Sequence, residues 1–79
     1  MLYLADISYN HTIDNPYQLL RGDGVKTMQS CHKNNIQWKN NDRADADYRR
    51  GQDYNCYEIT EEQANKVIER WKHKKHKNL

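Results

Sequence analysis

The chain opens on an apolar-rich run, Leu2 to Tyr9, in which both alternating positions carry apolar side chains. Leu2 and Leu4 share one parity, and Tyr3, Ala5 and Ile7 share the other. That pattern predicts a strand covered on both faces, placed centrally in a small sheet. Residues 10–15 are polar and loop-like. Asp14 or Asn15 can cap a helix with Pro16 at its first position, where a missing N–H costs nothing. Tyr17, Leu19 and Leu20 then fit one or two helical turns that stop at Gly22. Gly22-Asp23-Gly24 reads as a turn. Val25 and Met28 are three apart, and Cys31 or His32 extends the spacing, so a modest amphipathic helix is expected within 25–35. Ile36 and Trp38 alternate with Gln37 and Lys39 at the period of a strand.

Residues 40–53 hold no aliphatic side chain larger than Ala. They are expected to form a charged, mobile loop or the exposed tip of a hairpin joining strands at 36–39 and 54–59. The last element has the clearest signals. Thr60-Glu61-Glu62-Gln63 matches a capping box, and Ile59 stands at the staple position opposite Ala64. Glu61 and Glu62 suit the positive end of the helix dipole. Ala64, Val67, Ile68 and Trp71 follow at helical spacing, which predicts a helix over about 61–74. The expected fold is α+β: a small three-stranded antiparallel sheet, a C-terminal amphipathic helix packed on one face, and one or two short helices in the N-terminal half. Residues 1–74 would be a single domain and 75–79 a disordered basic tail.

Composition narrows this picture. With 79 residues and 35% hydrophobic content, the core must be thin. Phe is absent, while Tyr occurs six times and Trp twice. Tyrosine buries a ring yet keeps a hydroxyl that needs a partner, and it is enriched at interfaces. Tyr3, Tyr54 and Tyr57 are read as filling a thin, wet core. Tyr9, Tyr17 and Tyr48 lie in more polar surroundings and are candidate contact residues. Residues 70–79 carry Arg70, Lys72, Lys74, Lys75 and Lys77 without an acid, which leaves eight basic and eleven acidic residues elsewhere. The body is therefore mildly acidic and the end basic. No basic segment followed by an apolar stretch opens the chain, and no run approaches the ~18 apolar residues of a membrane span. An intracellular, cytoplasmic protein that does not engage membranes is expected.

The candidate chemistry is thin. Two cysteines, Cys31 and Cys56, allow one bridge at most. His73 and His76 share a helical face, but the Cys-x2-Cys spacing of a structural zinc site is missing. Asp42, Asp45 and Asp47 lack the glycine and the glutamate of a calcium loop. Cys31 and His32, adjacent on a helix, would point about 100° apart and so make no nucleophile–base pair. No phosphate-binding glycine loop or nucleophile elbow occurs. Arg21-Gly22-Asp23 and the sequon Asn10-His11-Thr12 are read as chance matches.

These absences point to a non-enzymatic protein without cofactor or metal. It is expected to act by protein–protein contact on a larger host protein or nucleoprotein complex, through Tyr48, Arg49, Arg50, Arg43, Tyr17 and Tyr9. Tyr and Arg are the residue types that dominate binding hot spots. A compact, Asn- and Tyr-rich, lysine-tailed chain has the character of a phage or mobile-element accessory protein, for example an anti-CRISPR-like inhibitor of a host nuclease or CRISPR-type nucleoprotein. The alternative is a nucleic-acid-binding module that uses Arg70, Lys72, Lys74, Lys75 and Lys77 with the Arg-rich loop. The oligomeric state, and whether Cys31 pairs with Cys56, stay open at this level.

Overall fold

The computed structural model describes residues 1–77, with side chains through His73. Seven elements follow in the order β1 (Leu2–Asp6), β2 (Gln18–Gly22), β3 (Gln29–His32), β4 (Asn35–Asn40), α1 (Asp42–Arg49), β5 (Cys56–Ile59) and α2 (Glu61–Lys77). The five strands form one antiparallel sheet in the order β4-β3-β2-β1-β5. Strands β1 to β4 form a meander. The chain then crosses the sheet through α1 and returns as β5 beside β1.

The α+β class and the antiparallel sheet agree with the sequence pattern, but the sheet has five strands rather than three. The two short N-terminal helices expected over 16–20 and 25–35 are strands instead. Leu19 and Leu20 are both buried, and they belong to opposite sides of the sheet. In a strand successive side chains alternate, so adjacent residues are buried against two opposite layers. Met28 and Cys31 illustrate the same ambiguity. Three residues apart, they resemble a helical stripe, yet Met28 packs on one face and Cys31 on the other. Val25, at the start of that expected stripe, is 83% exposed in the turn before β3.

The strands at 36–39 and 54–59 exist, but they do not pair. They occupy opposite edges of the sheet as β4 and β5. Nor is 40–53 a projecting loop. It contains α1, whose N-terminus is capped by the Asn41 side chain accepting from the Ala44 N–H at 3.0 Å. Asp42 and Asp45 occupy its first turn and Arg49 its last, matching the helix dipole. Asp45 also accepts the Met28 N–H at 3.1 Å, which ties the helix to the start of β3.

Three layers result. On one face, α2 covers Tyr3, Ala5, Leu19, Cys31 and Ile59 with Ala64, Val67 and Trp71. On the other face, Leu4, Leu20 and Met28 form a smaller cluster against Leu2, Ala44 and Cys56. The capping box is formed: the Gln63 N–H donates to Thr60 Oγ1 at 3.0 Å, and the Thr60 N–H donates to Gln63 Oε1 at 2.8 Å. The helix runs past the expected residue 74 to Lys77. The expected tail over 75–79 falls on residues whose side chains lie outside the described ones, and 78–79 lie outside altogether. Both cysteines are free, and their packing on opposite faces separates them. No helix among the described residues is long and apolar enough to cross a membrane.

Candidate functional site

The end of β1 organises the most distinctive surface. Asp6 is buried, an acid inside an otherwise apolar run. Its Oδ1 accepts from the Ser8 N–H at 2.9 Å and from the Ser8 hydroxyl at 2.5 Å. Its Oδ2 accepts from Gln18 Nε2 at 2.8 Å, and its backbone carbonyl accepts the Tyr17 N–H at 2.8 Å. A buried carboxylate needs such partners. Here they lock the exit of β1 to the entrance of β2.

Beyond that lock the chain reverses at Ser8–His11 with Tyr9 and Asn10 both left-handed, at φ 59° and 64°. Successive left-handed residues are the mark of a tight reverse turn and favour Asn or Gly. Tyrosine is poorly suited to the first of them. The turn is braced by His11, whose Nδ1 lies 2.7 Å from the Ser8 carbonyl and 3.1 Å from the Tyr9 carbonyl. Carbonyl oxygens only accept, so Nδ1 carries the proton and Nε2 is left as an acceptor in the neutral ring.

The strained turn places Tyr9, 77% exposed, against Tyr17, with ring centroids 4.9 Å apart in an edge-to-face arrangement. Tyr17 also meets His11 at 5.6 Å and His32 at 5.7 Å. Three rings from two other segments thus surround Tyr17. Tyr9, Tyr17 and His32 border a groove of about 350 Å³ that has Asp6, Ser8 and Gln18 at its base and Arg43 and Asp47 of α1 on its far wall. A smaller recess of about 130 Å³ continues it toward Asp53, Tyr54 and Cys56. There the Cys56 thiol is pushed up to about 12, first by burial and then by the carboxylates of Asp6, Asp53 and Asp47. Burial raises the Cys31 thiol as well. Both sulfurs are held as thiols, the form that is not nucleophilic.

The structure divides the contact residues expected from sequence. Tyr9, Tyr17 and Arg43 line the groove together. Tyr48 and Arg49 lie on the opposite side of α1, in a separate cleft. Arg49 is engaged there, donating from Nε to Asp45 at 2.9 Å. Arg50 is exposed at the C-cap of α1, with its own N–H donated to the Ala46 and Tyr48 carbonyls. Of the basic residues near the end, Arg70 donates to the Asp14 carbonyl and Lys72 is exposed. The side chains of Lys74, Lys75 and Lys77 lie outside the described residues. His32, Asp6, Gln18 and Asp47 were not anticipated at the groove. An acid within an apolar run, two residues before a serine, is the signal that marks Asp6. Nothing local marks the other three.

Among the described residues no group of three or more His, Cys, Asp or Glu side chains is placed to hold a metal ion. No family model, no curated protein and no solved structure matches the chain.

Proposed function

We propose that the protein is a non-enzymatic binding protein that engages a larger macromolecule, a protein or nucleoprotein, through the groove bordered by Tyr9, Tyr17, His32 and Arg43. The observation that carries this reading is Tyr9. A bulky aromatic side chain is held at a left-handed backbone position and exposed to water, where Asn or Gly would be easier to accommodate. Such local strain occurs characteristically at ligand clamps and binding sites. Tyr and Arg are the side chains that most often dominate interface energetics, and the polar base offers hydrogen bonds for orientation.

The test is a pull-down from lysate, with and without nuclease, using the wild-type protein and the variants Tyr9→Asn, Tyr17→Ala and Arg43→Ala. Asparagine suits the left-handed position, so Tyr9→Asn should keep or raise the thermal midpoint while it weakens capture. A partner retained after nuclease treatment and at moderate salt, and lost in the groove variants, supports the proposal. Full retention by all three variants overturns it. Capture that vanishes with nuclease and falls steeply with salt would favour the direct nucleic-acid reading through the basic end of α2.

A further inference from the structure

A second concavity lies across α1 from the aromatic groove. Residues 43, 44 and 47 face the groove, whereas Asp45, Tyr48 and Arg49 face this cleft of about 400 Å³. Its floor is apolar, built from Leu2, Gly22 and Met28. Gly22 shapes that floor: a Cβ there would stand 3.0 Å from Met28 Cγ, tighter than ordinary packing allows. Lys26, Tyr48 and Arg49 stand around it. Val25, on the turn that forms the cleft's lip, is among the most exposed apolar side chains of the protein.

The polar groups at the rim are unequal in what they have left to offer. Asp45 has both oxygens taken, Oδ1 by the Met28 N–H at 3.1 Å and Oδ2 by Arg49 Nε at 2.9 Å. Asp23 Oδ1 accepts from the Val25 and Lys26 N–H groups, each at 2.9 Å. These bonds hold both carboxyls below the usual range, so both are ionised at neutral pH; Asp45 is engaged through both oxygens, and Asp23 through Oδ1 alone. Among the described residues, neither the Lys26 ammonium nor the Tyr48 hydroxyl has a hydrogen-bond partner, although the Lys26 charge also helps to lower the neighbouring Asp23 carboxyl. Arg49 retains N–H groups beyond those given to Asp45 and the Val25 carbonyl. The uncommitted groups are therefore mainly donors, set over an apolar floor. A concave site with an apolar lining and a few convergent polar groups is the usual form of a small-molecule site.

We propose that this cleft binds a small amphiphilic anion: a compact aryl or short alkyl body seated on Leu2, Gly22 and Met28, with one carboxylate or sulfonate met by Lys26, Tyr48 and Arg49. The site shares no residue with the aromatic groove, so it stands or falls independently of the macromolecular reading.

The probe is 1-anilinonaphthalene-8-sulfonate, titrated by fluorescence into protein whose near-UV circular dichroism shows it folded. One saturable site per chain is expected, displaced by octanoate. Chemical shifts should move at Gly22, Gly24, Val25 and Tyr48. Lys26→Met keeps the apolar stem and removes the charge, and should weaken binding about tenfold or more. The uncharged N-phenyl-1-naphthylamine should likewise bind about tenfold more weakly or worse. Absence of saturable binding, affinity unchanged in Lys26→Met, equal affinity for the uncharged probe, or shifts confined to other surfaces would each overturn the proposal.

Discussion

At the scale of single residues, the structure repeatedly satisfies a polar group locally instead of exposing it. Asp6 takes three donors, His11 braces its own turn, and Asp45 links α1 to β3. Cys56 is the counterexample, because its neighbours disfavour its charged form. Burial and three nearby carboxylates push the thiol up to about 12. At pH 8 an ordinary thiol is partly thiolate, whereas Cys56 would be thiolate on the order of a thousandfold less. Alkylation by iodoacetamide, read by peptide mapping, should be at least ~100-fold slower at Cys56 in folded protein than in urea. Comparable rates would show that neither burial nor the nearby carboxylates hold the sulfur as a thiol. The linkage has a definite sign. An acid whose folded pKa is raised stabilises the fold fully below the unfolded value of ~8.5, and that contribution fades as pH climbs toward about 12. The alkaline limb of the stability profile should accordingly flatten in Cys56→Ala relative to wild type.

At the scale of elements, α2 and α1 reach order by different routes, and their legibility in the sequence differs for that reason. Helix α2 announces itself through reciprocal capping, acidic first-turn residues and a four-residue apolar stripe. Trp71, 3% exposed, anchors that stripe and directs its Nε1 toward Asn15 Oδ1 at 3.4 Å. Trp71→Ala should cost ~3–5 kcal/mol, and Thr60→Ala ~0.5–2 kcal/mol, both read from denaturant midpoints. A loss near zero at Trp71 would mean that the stripe does not bury against the sheet. Helix α1 has no such stripe, and none of its residues is fully buried. It is held by the Asn41 cap, by Ala44 packed on the smaller cluster, and by one carboxylate reaching a backbone N–H seventeen residues away. Hydrophobic periodicity cannot register anchors of that kind. Strands β2 and β3 were obscured by a different ambiguity. In a sheet covered on both sides, Leu19-Leu20 and Met28/Cys31 are buried against different layers, and a short apolar run of this sort reads equally well as a helix. The aromatic site was legible only in part. Tyr9, Tyr17 and Arg43 are contact-prone residue types in the sequence, but that they meet depends on the β1–β2 register and on α1 crossing the sheet.

At the scale of the whole molecule, the two faces carry unequal cores. The α2 face holds the larger cluster and the α1 face a smaller one flanked by both concavities. Stability should therefore reside mainly in the α2 layer, leaving the α1 face free to carry recognition, since binding surfaces are commonly drawn from the less stable parts of a fold. The basic end of α2 permits a clean separation of the two. The last core residue described is Trp71, and Arg70 is secured by the Asp14 carbonyl just before it. Residues 75–79 add Lys75 and Lys77, whose charges bear on long-range attraction to phosphates. Deleting 75–79 should leave the thermal midpoint almost unchanged, as measured by circular dichroism. Capture of a protein partner through the Tyr9–Tyr17 groove should survive the deletion as well. Any affinity for nucleic acid should fall and lose roughly two phosphate contacts' worth of salt dependence, because each neutralised phosphate adds about 0.9 to the logarithmic slope on duplex DNA. A large drop in midpoint would show instead that the basic end docks on the acidic body and belongs to the fold.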